Sequence, residues 1–166
     1  MVNCVIEWGK VVKNSRNKQF NHSEKMFYGE YDYKVDSKGR VAIPPEFRDA
    51  FKSGVVLRRA EDKCIDIYPS SAWEDVAQKH VSTGPSRSAI RRKNRYIFSF
   101  AFKLNTDHQG RIVIPPPLRQ YAQIRDAAVI VGVNTYLELW DKEEWQQEQE
   151  LLGEEGPQLI ERTEEQ

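Results

Sequence analysis

The chain has 166 residues, enough for one ordinary domain or two small ones; 39% hydrophobic and 30% charged residues fit a soluble globular protein with a modest core. No run of about 18 apolar residues is present, which excludes a membrane-spanning helix, and residues 1–25 lack the continuous apolar stretch of a secretory signal. The cytoplasm is the expected compartment, and the two cysteines, Cys4 and Cys64, suggest no disulfide framework.

The formal net charge of zero hides segregation. Residues 81–125 carry nine Lys or Arg against one acid, whereas residues 126–166 carry two against twelve. A basic block of that size is what a phosphate-facing surface needs, although charge runs are commonly just solvated faces.

Taken in chain order, the first half reads as mainly β. Tyr31, Tyr33 and Val35 alternate with Glu30, Asp32 and Lys34, which predicts a half-buried strand over Gly29–Val35. Asp36-Ser37-Lys38-Gly39 is a turn, since Asp and Ser bond their own backbone and Gly accepts positive φ. Arg40–Ile43 is a short strand stopped by Pro44-Pro45, and Pro45 suits the first position of a short helix over Glu46–Phe51. Val55–Arg58 and Cys64–Tyr68 are two more strands, and Ser70–His80 is a helix with Trp73, Val76 and Ala77 inward. Ser82–Ser86 is a break, and Ser86–Asn94 is a basic helix.

The second half repeats the first. Asp36, Gly39, Arg40, Ile43, Pro44, Pro45 and Arg48 recur as Asp107, Gly110, Arg111, Ile114, Pro115, Pro116 and Arg119, always 71 residues on. Ile65-Asp66-Ile67-Tyr68 matches Leu137-Glu138-Leu139-Trp140, and Trp73 matches Trp145. The same elements are therefore expected: strands over Phe98–Leu104, Arg111–Ile114, Ala128–Val133 and Tyr136–Trp140, and a short helix over Pro116–Ala122. Pro115-Pro116-Pro117 is stiffer than its counterpart and predicts a late start to that helix. Asp141 with Glu144 predicts a capping box opening a helix to about Leu152, followed by a mobile acidic end over Gly153–Gln166. The fold class is α+β, mainly β. The expected organisation is an extension over 1–25, a first repeat over 30–76, a basic linker helix over 77–99, a second repeat over 100–145 and an acidic end over 146–166.

Chemistry follows from the repeated turn. Arg40 and Arg111 come one residue after the turn glycine, at the mouth of a hairpin, and a guanidinium fork matches guanine O6 and N7 or two phosphate oxygens. Asp36 and Asp107 orient that fork or satisfy turn amides, Lys38 adds a phosphate contact, and Arg48 and Arg119 on the short helices reach phosphates too. The bland alternative is a surface salt bridge contributing about 0–1 kcal/mol, which two matching copies make harder to sustain. No catalytic, metal or cofactor site is expected. His22, His80 and His108 lack companions at ligand spacing, no Gly-rich nucleotide loop occurs, and Cys64 reads as buried. The second reading is a protein-interaction scaffold that uses the acidic surface from Asp141 onward and does not read DNA. Single-stranded RNA binding through Tyr28, Tyr31 and Tyr33 is weaker, because those side chains alternate as a core face should.

Met26-Phe27-Tyr28-Gly29-Glu30-Tyr31, the Asp36–Arg40 and Asp107–Arg111 D-x-x-x-R segments, Ile67-Tyr68-Pro69 with Trp73, and Leu139-Trp140 with Trp145 together resemble the MraZ family, over roughly Met26 to Leu152. The resemblance implies tandem AbrB/SpoVT-like swapped-hairpin repeats forming a small β-barrel with flanking helices. It also implies a ring-shaped homo-oligomer that binds G-rich direct repeats in double-stranded DNA, regulates the promoter of the cell-division and cell-wall gene cluster, and sits on the nucleoid. Residues 1–25 lie ahead of the usual family start; an early-assigned start codon is favoured over a basic arm, and His108 departs from a small turn residue.

Overall fold

A computed structural model describes residues 26–81 and 86–164. The extension over 1–25, with Cys4 and His22, and most of the break at Ser82–Ser86 lie outside the described residues. The fold is α+β and mainly β. Its strands are β1 (Glu30–Lys34), β2 (Arg40–Ala42), β3 (Val55–Arg59), β4 (Ile65–Pro69), β5 (Ala101–Leu104), β6 (Arg111–Val113), β7 (Ala127–Val133) and β8 (Tyr136–Asp141). The helices are α1 (Ser70–Val81), α2 (Arg87–Phe98), α3 (Pro116–Tyr121) and α4 (Lys142–Glu164), with a 3-10 helix over Pro45–Phe51.

Six strands form one antiparallel sheet in the order β1-β7-β8-β4-β3-β5, and β2 pairs with β6 as a separate ribbon. Exchanging the matching elements of the two halves leaves this order unchanged. Thus β1 pairs with β7 and β5 pairs with β3, so each half lends its first strand to the other.

Register explains the core. Tyr31 faces Ile130, Tyr33 faces Ala128, Ile65 faces Leu139, Ile67 faces Leu137 and Leu57 faces Phe102. These pairs share one sheet face and pack beneath Val41 and Ile112 of the ribbon and Phe47, Phe51 and Leu118 of the short helices. Prolines open both short helices, where a missing N–H costs nothing. The first is 3-10, and α3 begins at Pro116 without the delay expected of three prolines.

Helices α1, α2 and α4 cover the opposite face, where Trp73 meets Tyr68 and Phe98, and Trp145 meets Trp140. β4 lies between both layers and is buried at all five positions. Ser86 caps α2 by accepting from the Ala89 amide at 3.2 Å. That helix runs to Phe98 rather than Asn94, because Ile97 is buried and Phe98 packs on Trp73; β5 consequently starts at Ala101, not Phe98. Asp141 caps α4 through the Glu143 amide at 3.0 Å, while Glu144 lies 4.0 Å from Lys63 instead of closing the reciprocal half of a capping box. Nor does α4 stop near Leu152: it continues through Gly153, Gly156 and Pro157 to Glu164, giving up the one backbone bond that proline cannot donate.

One element was not foreseen. Arg58, Asp66 and Glu138 stand side by side across β3, β4 and β8, on the helix-covered face. Arg58 donates Nε and Nη2 to Asp66 Oδ2 at 2.7 and 2.6 Å. Glu138 accepts from Trp140 Nε1 at 3.0 Å, and burial pushes the pKa values of both carboxyls up. Cys64 is buried beside them, its thiol pushed well above the usual range by desolvation.

Candidate nucleic-acid interface

The two D-x-x-x-R segments converge on the ribbon. In each turn the aspartate Oδ1 accepts two backbone amides: those of Lys38 and Arg40 at Asp36, and those of Gln109 and Arg111 at Asp107, all at 2.9–3.0 Å. Its Oδ2 accepts the arginine Nε, at 2.7 Å for Arg40 and 2.8 Å for Arg111. The sequence folds this way because an Asx side chain closes the turn and Gly39 and Gly110 supply φ of +73° and +75°.

The turns also interlock. Ile43 donates its amide to the Gly110 carbonyl and Ile114 to the Gly39 carbonyl, both at 2.9 Å. Val41 lies opposite Ile112, and both are fully buried. Alternation then turns Arg40, Ala42, Arg111 and Val113 outward on one face. Each arginine lies within salt-bridge range of the other turn's acid, Arg40–Asp107 and Arg111–Asp36 both at 3.9 Å. The four charges form a closed, neutral set with guanidinium groups about one-quarter exposed. Lys38 stands exposed at one turn tip, with Gln109 in the matching place at the other.

Arg48 and Arg119 lie on or at the short helices, as expected, and each is anchored by backbone carbonyls. Arg48 Nε donates to the Ile43 carbonyl at 3.0 Å, and Arg119 donates to the carbonyls of Ile124 and Arg125 at 2.9 and 2.7 Å. Both side chains also lie beside the glycine of the opposite turn, Arg48 by Gly110 and Arg119 by Gly39, and bring positive charge to the ribbon. Sequence reading missed the two outward apolar positions, Ala42 and Val113; strand alternation counted from each arginine would have found them.

The electrostatics set a pH dependence. Asp36 is held down to about 2, first by the hydrogen bond from the Arg40 side chain, and Asp107 is held lower still, first by Arg111. Unfolded carboxyls titrate near pH 4. These acids therefore stabilise the fold fully above about pH 4; the contribution of Asp36 is lost as pH falls through about 2, and that of Asp107 lower still. Asp36→Asn with Asp107→Asn is expected to melt below wild type at neutral pH, with the gap narrowing steadily below about pH 4 and closing only below about pH 2, read from melting temperatures across that range.

Glycine requirements differ between the turns. A Cβ on Gly110 would meet Arg48 Nε at 2.5 Å, whereas one on Gly39 would lie 3.5 Å from Arg119 Nη1. Left-handed backbone alone costs an alanine about 1–2 kcal/mol. Gly39→Ala is expected to lose about that much in urea unfolding, and Gly110→Ala more, because Arg48 must also leave the Ile43 carbonyl.

Fold and site together define a tandem-repeat, mainly β protein that offers a small rigid ribbon with two oriented arginines on its outer face. Residues 26–95 and 97–162 each match the family described as "MraZ protein, putative antitoxin-like". The chain is 43% identical over 141 residues to the transcriptional regulator MraZ of Dehalococcoides mccartyi, covering 84% of this chain and 99% of the relative. It is 42% identical over 137 residues to that of Thermomicrobium roseum, covering 82% and 96%. Against that of a Roseiflexus species it is 44% identical over 121 residues, covering 73% and 85%. The chain belongs to the MraZ family.

Proposed function

We propose that this chain is a sequence-specific, DNA-binding transcriptional regulator that seats the β2–β6 ribbon in the major groove. The observation that carries this reading is the outward pair Arg40 and Arg111, each held by its own turn aspartate on a ribbon narrow enough for that groove. The guanidinium forks read guanine, Ala42 and Val113 supply apolar contact to thymine methyl groups, and Lys38, Arg48 and Arg119 meet phosphates. Relatives named transcriptional regulators support the class. In this reading the exchanged first strands make an AbrB-like swapped-hairpin barrel, and copies assemble into a ring. Successive ribbons then meet G-rich direct repeats in the promoter of the cell-division and cell-wall gene cluster, on the nucleoid in the cytoplasm. The role is binding, not catalysis.

The scaffold alternative draws on the neutrality of the Asp–Arg set, which leaves Lys38, Arg48 and Arg119 as the net positive groups beside the ribbon. Fluorescence anisotropy separates the two. A duplex carrying G-rich direct repeats is expected to bind with an affinity that falls steeply with salt, by roughly 0.9 in log–log slope per phosphate neutralised. Mutating one repeat is expected to weaken binding steeply. Indifference to both salt and repeat would leave only the scaffold.

A further inference from the structure

The seam between the two halves carries an unbalanced charge. Strand order is symmetric about the β8–β4 pairing, and there Asp66 of the first half stands directly opposite Glu138, its counterpart in the second. Like charges facing each other across antiparallel strands repel, and burial adds to the cost. One cation answers them: Arg58, which of the two carboxylates bonds only Asp66. Among the described residues every hydrogen bond to Asp66 falls on Oδ2, from Arg58 and from the Tyr68 hydroxyl at 3.5 Å, and none reaches Oδ1. Glu138 is oriented by Trp140 Nε1 at 3.0 Å and by the Tyr136 hydroxyl at 3.4 Å. Cys64 adds a third donor. It is 1% exposed, its thiol makes no hydrogen bond among the described residues, and its sulfur and one oxygen of each carboxylate all lie within 4.8 Å of one another. Trp145 Nε1, in the same small cluster as Cys64 and Trp140, is also buried without a hydrogen-bond partner among the described residues.

We propose that Cys64, Asp66 and Glu138 form a zinc site that clips the first half of the chain to the second. One sulfur and two oxygens make a borderline donor set. The thiolate disfavours magnesium and calcium, which take oxygen ligands, and the carboxylates disfavour copper(I). Charge then balances. Zinc binding forms a Zn–S bond and releases the Cys64 proton to solvent, so three anions are met by Arg58 and a divalent cation. With the thiol protonated and no metal, one net negative charge stays under the helices. Arg58 keeps Oδ2 of Asp66 and leaves Oδ1 for the metal, while Arg58, Trp140 and Tyr136 act as the outer partners that hold ligating carboxylates in place. Zinc–ligand bonds of about 2.0–2.3 Å set neighbouring donors about 3.5 Å apart, so the set draws in by about 1 Å on binding. A fourth, tetrahedral position falls to a water entering past Glu138, the half-buried member, and such a water is also an acceptor for the Trp145 indole. The site lies on the sheet face away from the β2–β6 ribbon, so it neither needs DNA nor touches it.

The test uses the full-length chain stripped with a chelator, which stays folded because Arg58 still answers Asp66. Cobalt(II) is the spectroscopic probe and zinc the competitor. A single equivalent of cobalt is expected to give a near-ultraviolet thiolate-to-cobalt charge-transfer band with tetrahedral visible bands, and a single equivalent of zinc to erase them. Zinc is also expected to raise the Tm of the stripped wild type. Cys4→Ser controls for the other cysteine and is expected to keep both results, whereas Cys64→Ser is expected to lose the charge-transfer band. Glu138→Gln keeps the size of the side chain and an acceptor for Trp140. It is expected to bind zinc more weakly by at least the roughly 10–100-fold that follows loss of an outer partner. The proposal is overturned by a wild type that shows no charge-transfer band with cobalt or no rise in Tm with zinc. It is overturned equally by a band that persists in Cys64→Ser or disappears in Cys4→Ser, or by unchanged zinc affinity in Glu138→Gln. DNA affinity measured on the same stripped chain judges the ribbon separately.

Discussion

Replacing Arg40 and Arg111 together with alanine is expected to lower affinity for the operator duplex by about 100-fold or more, given about 1–3 kcal/mol for each good bidentate base contact. The loss has two sources. The guanidinium forks disappear, and Asp36 and Asp107, no longer neutralised, turn acceptor-only oxygens toward DNA phosphates. Folding is expected to survive, because the pairs are partly exposed and contribute little to stability. The melting temperature should therefore shift by only a few degrees, about 1 kcal/mol in a domain of this size. Lysine at both positions keeps charge but not the planar fork, so it is expected to restore non-specific binding without repeat preference. Anisotropy titrations of the three proteins against specific and scrambled duplexes check this. Affinity retained within threefold in the alanine variant would remove the arginines from the interface.

Arg58→Ala is expected to cost about 3–5 kcal/mol of stability, as much as truncating a large core side chain, because it strips the cation from a buried acid. Asp66 is 2% exposed and Glu138 stands opposite it on β8, so two carboxyls would remain under the helices without a counter-charge. The sign of the pH dependence follows. Burial already raises both acids above their unfolded values, so the folded form favours protonation there. Stability from such groups is complete below about pH 4 and declines as pH rises, so the deficit of the variant is largest at neutral pH and shrinks on acidification. Pairing Arg58→Met with Asp66→Leu is expected to recover most of the loss, since a buried ion pair is commonly replaceable by well-packed apolar side chains. Denaturant unfolding of the single and double variants at pH 7 and pH 5 decides it.

Much of this molecule was legible in the order of its residues. The 71-residue offset brought out both turns, both short strands and both proline-opened helices, because the chemistry of an Asx turn and of X-Pro is local. Where tertiary packing overrides local preference, legibility failed. Phe98 reads as β but completes α2 through its contact with Trp73, and Gly153, Gly156 and Pro157 read as an end but lie within α4. The carbonyls that hold Arg48 and Arg119 were not legible either, since Ile43, Ile124 and Arg125 meet them only in the folded chain. The Arg58–Asp66–Glu138 row could not be read at all, since it exists only once β3, β4 and β8 lie side by side. The basic and acidic segments were visible in composition; that α2 and α4, which carry them, cover two ends of one sheet face was not.

The exchange of β1 and β5 has a bearing on synthesis. A ribosome that has released everything up to α1 has delivered β3 and β4 as a lone hairpin, and β1 with nothing to lie against, since its neighbour β7 is still unmade. No intermediate of the nascent chain can bury the aromatic side of Tyr31 and Tyr33 on its native partners, Ile130 and Ala128. Maturation is thus held back to the final stretch of translation, and long-range pairing of this sort folds slowly. A polypeptide truncated before Ala127 would emerge with sticky, half-built edges and go to chaperones and proteases instead of to DNA.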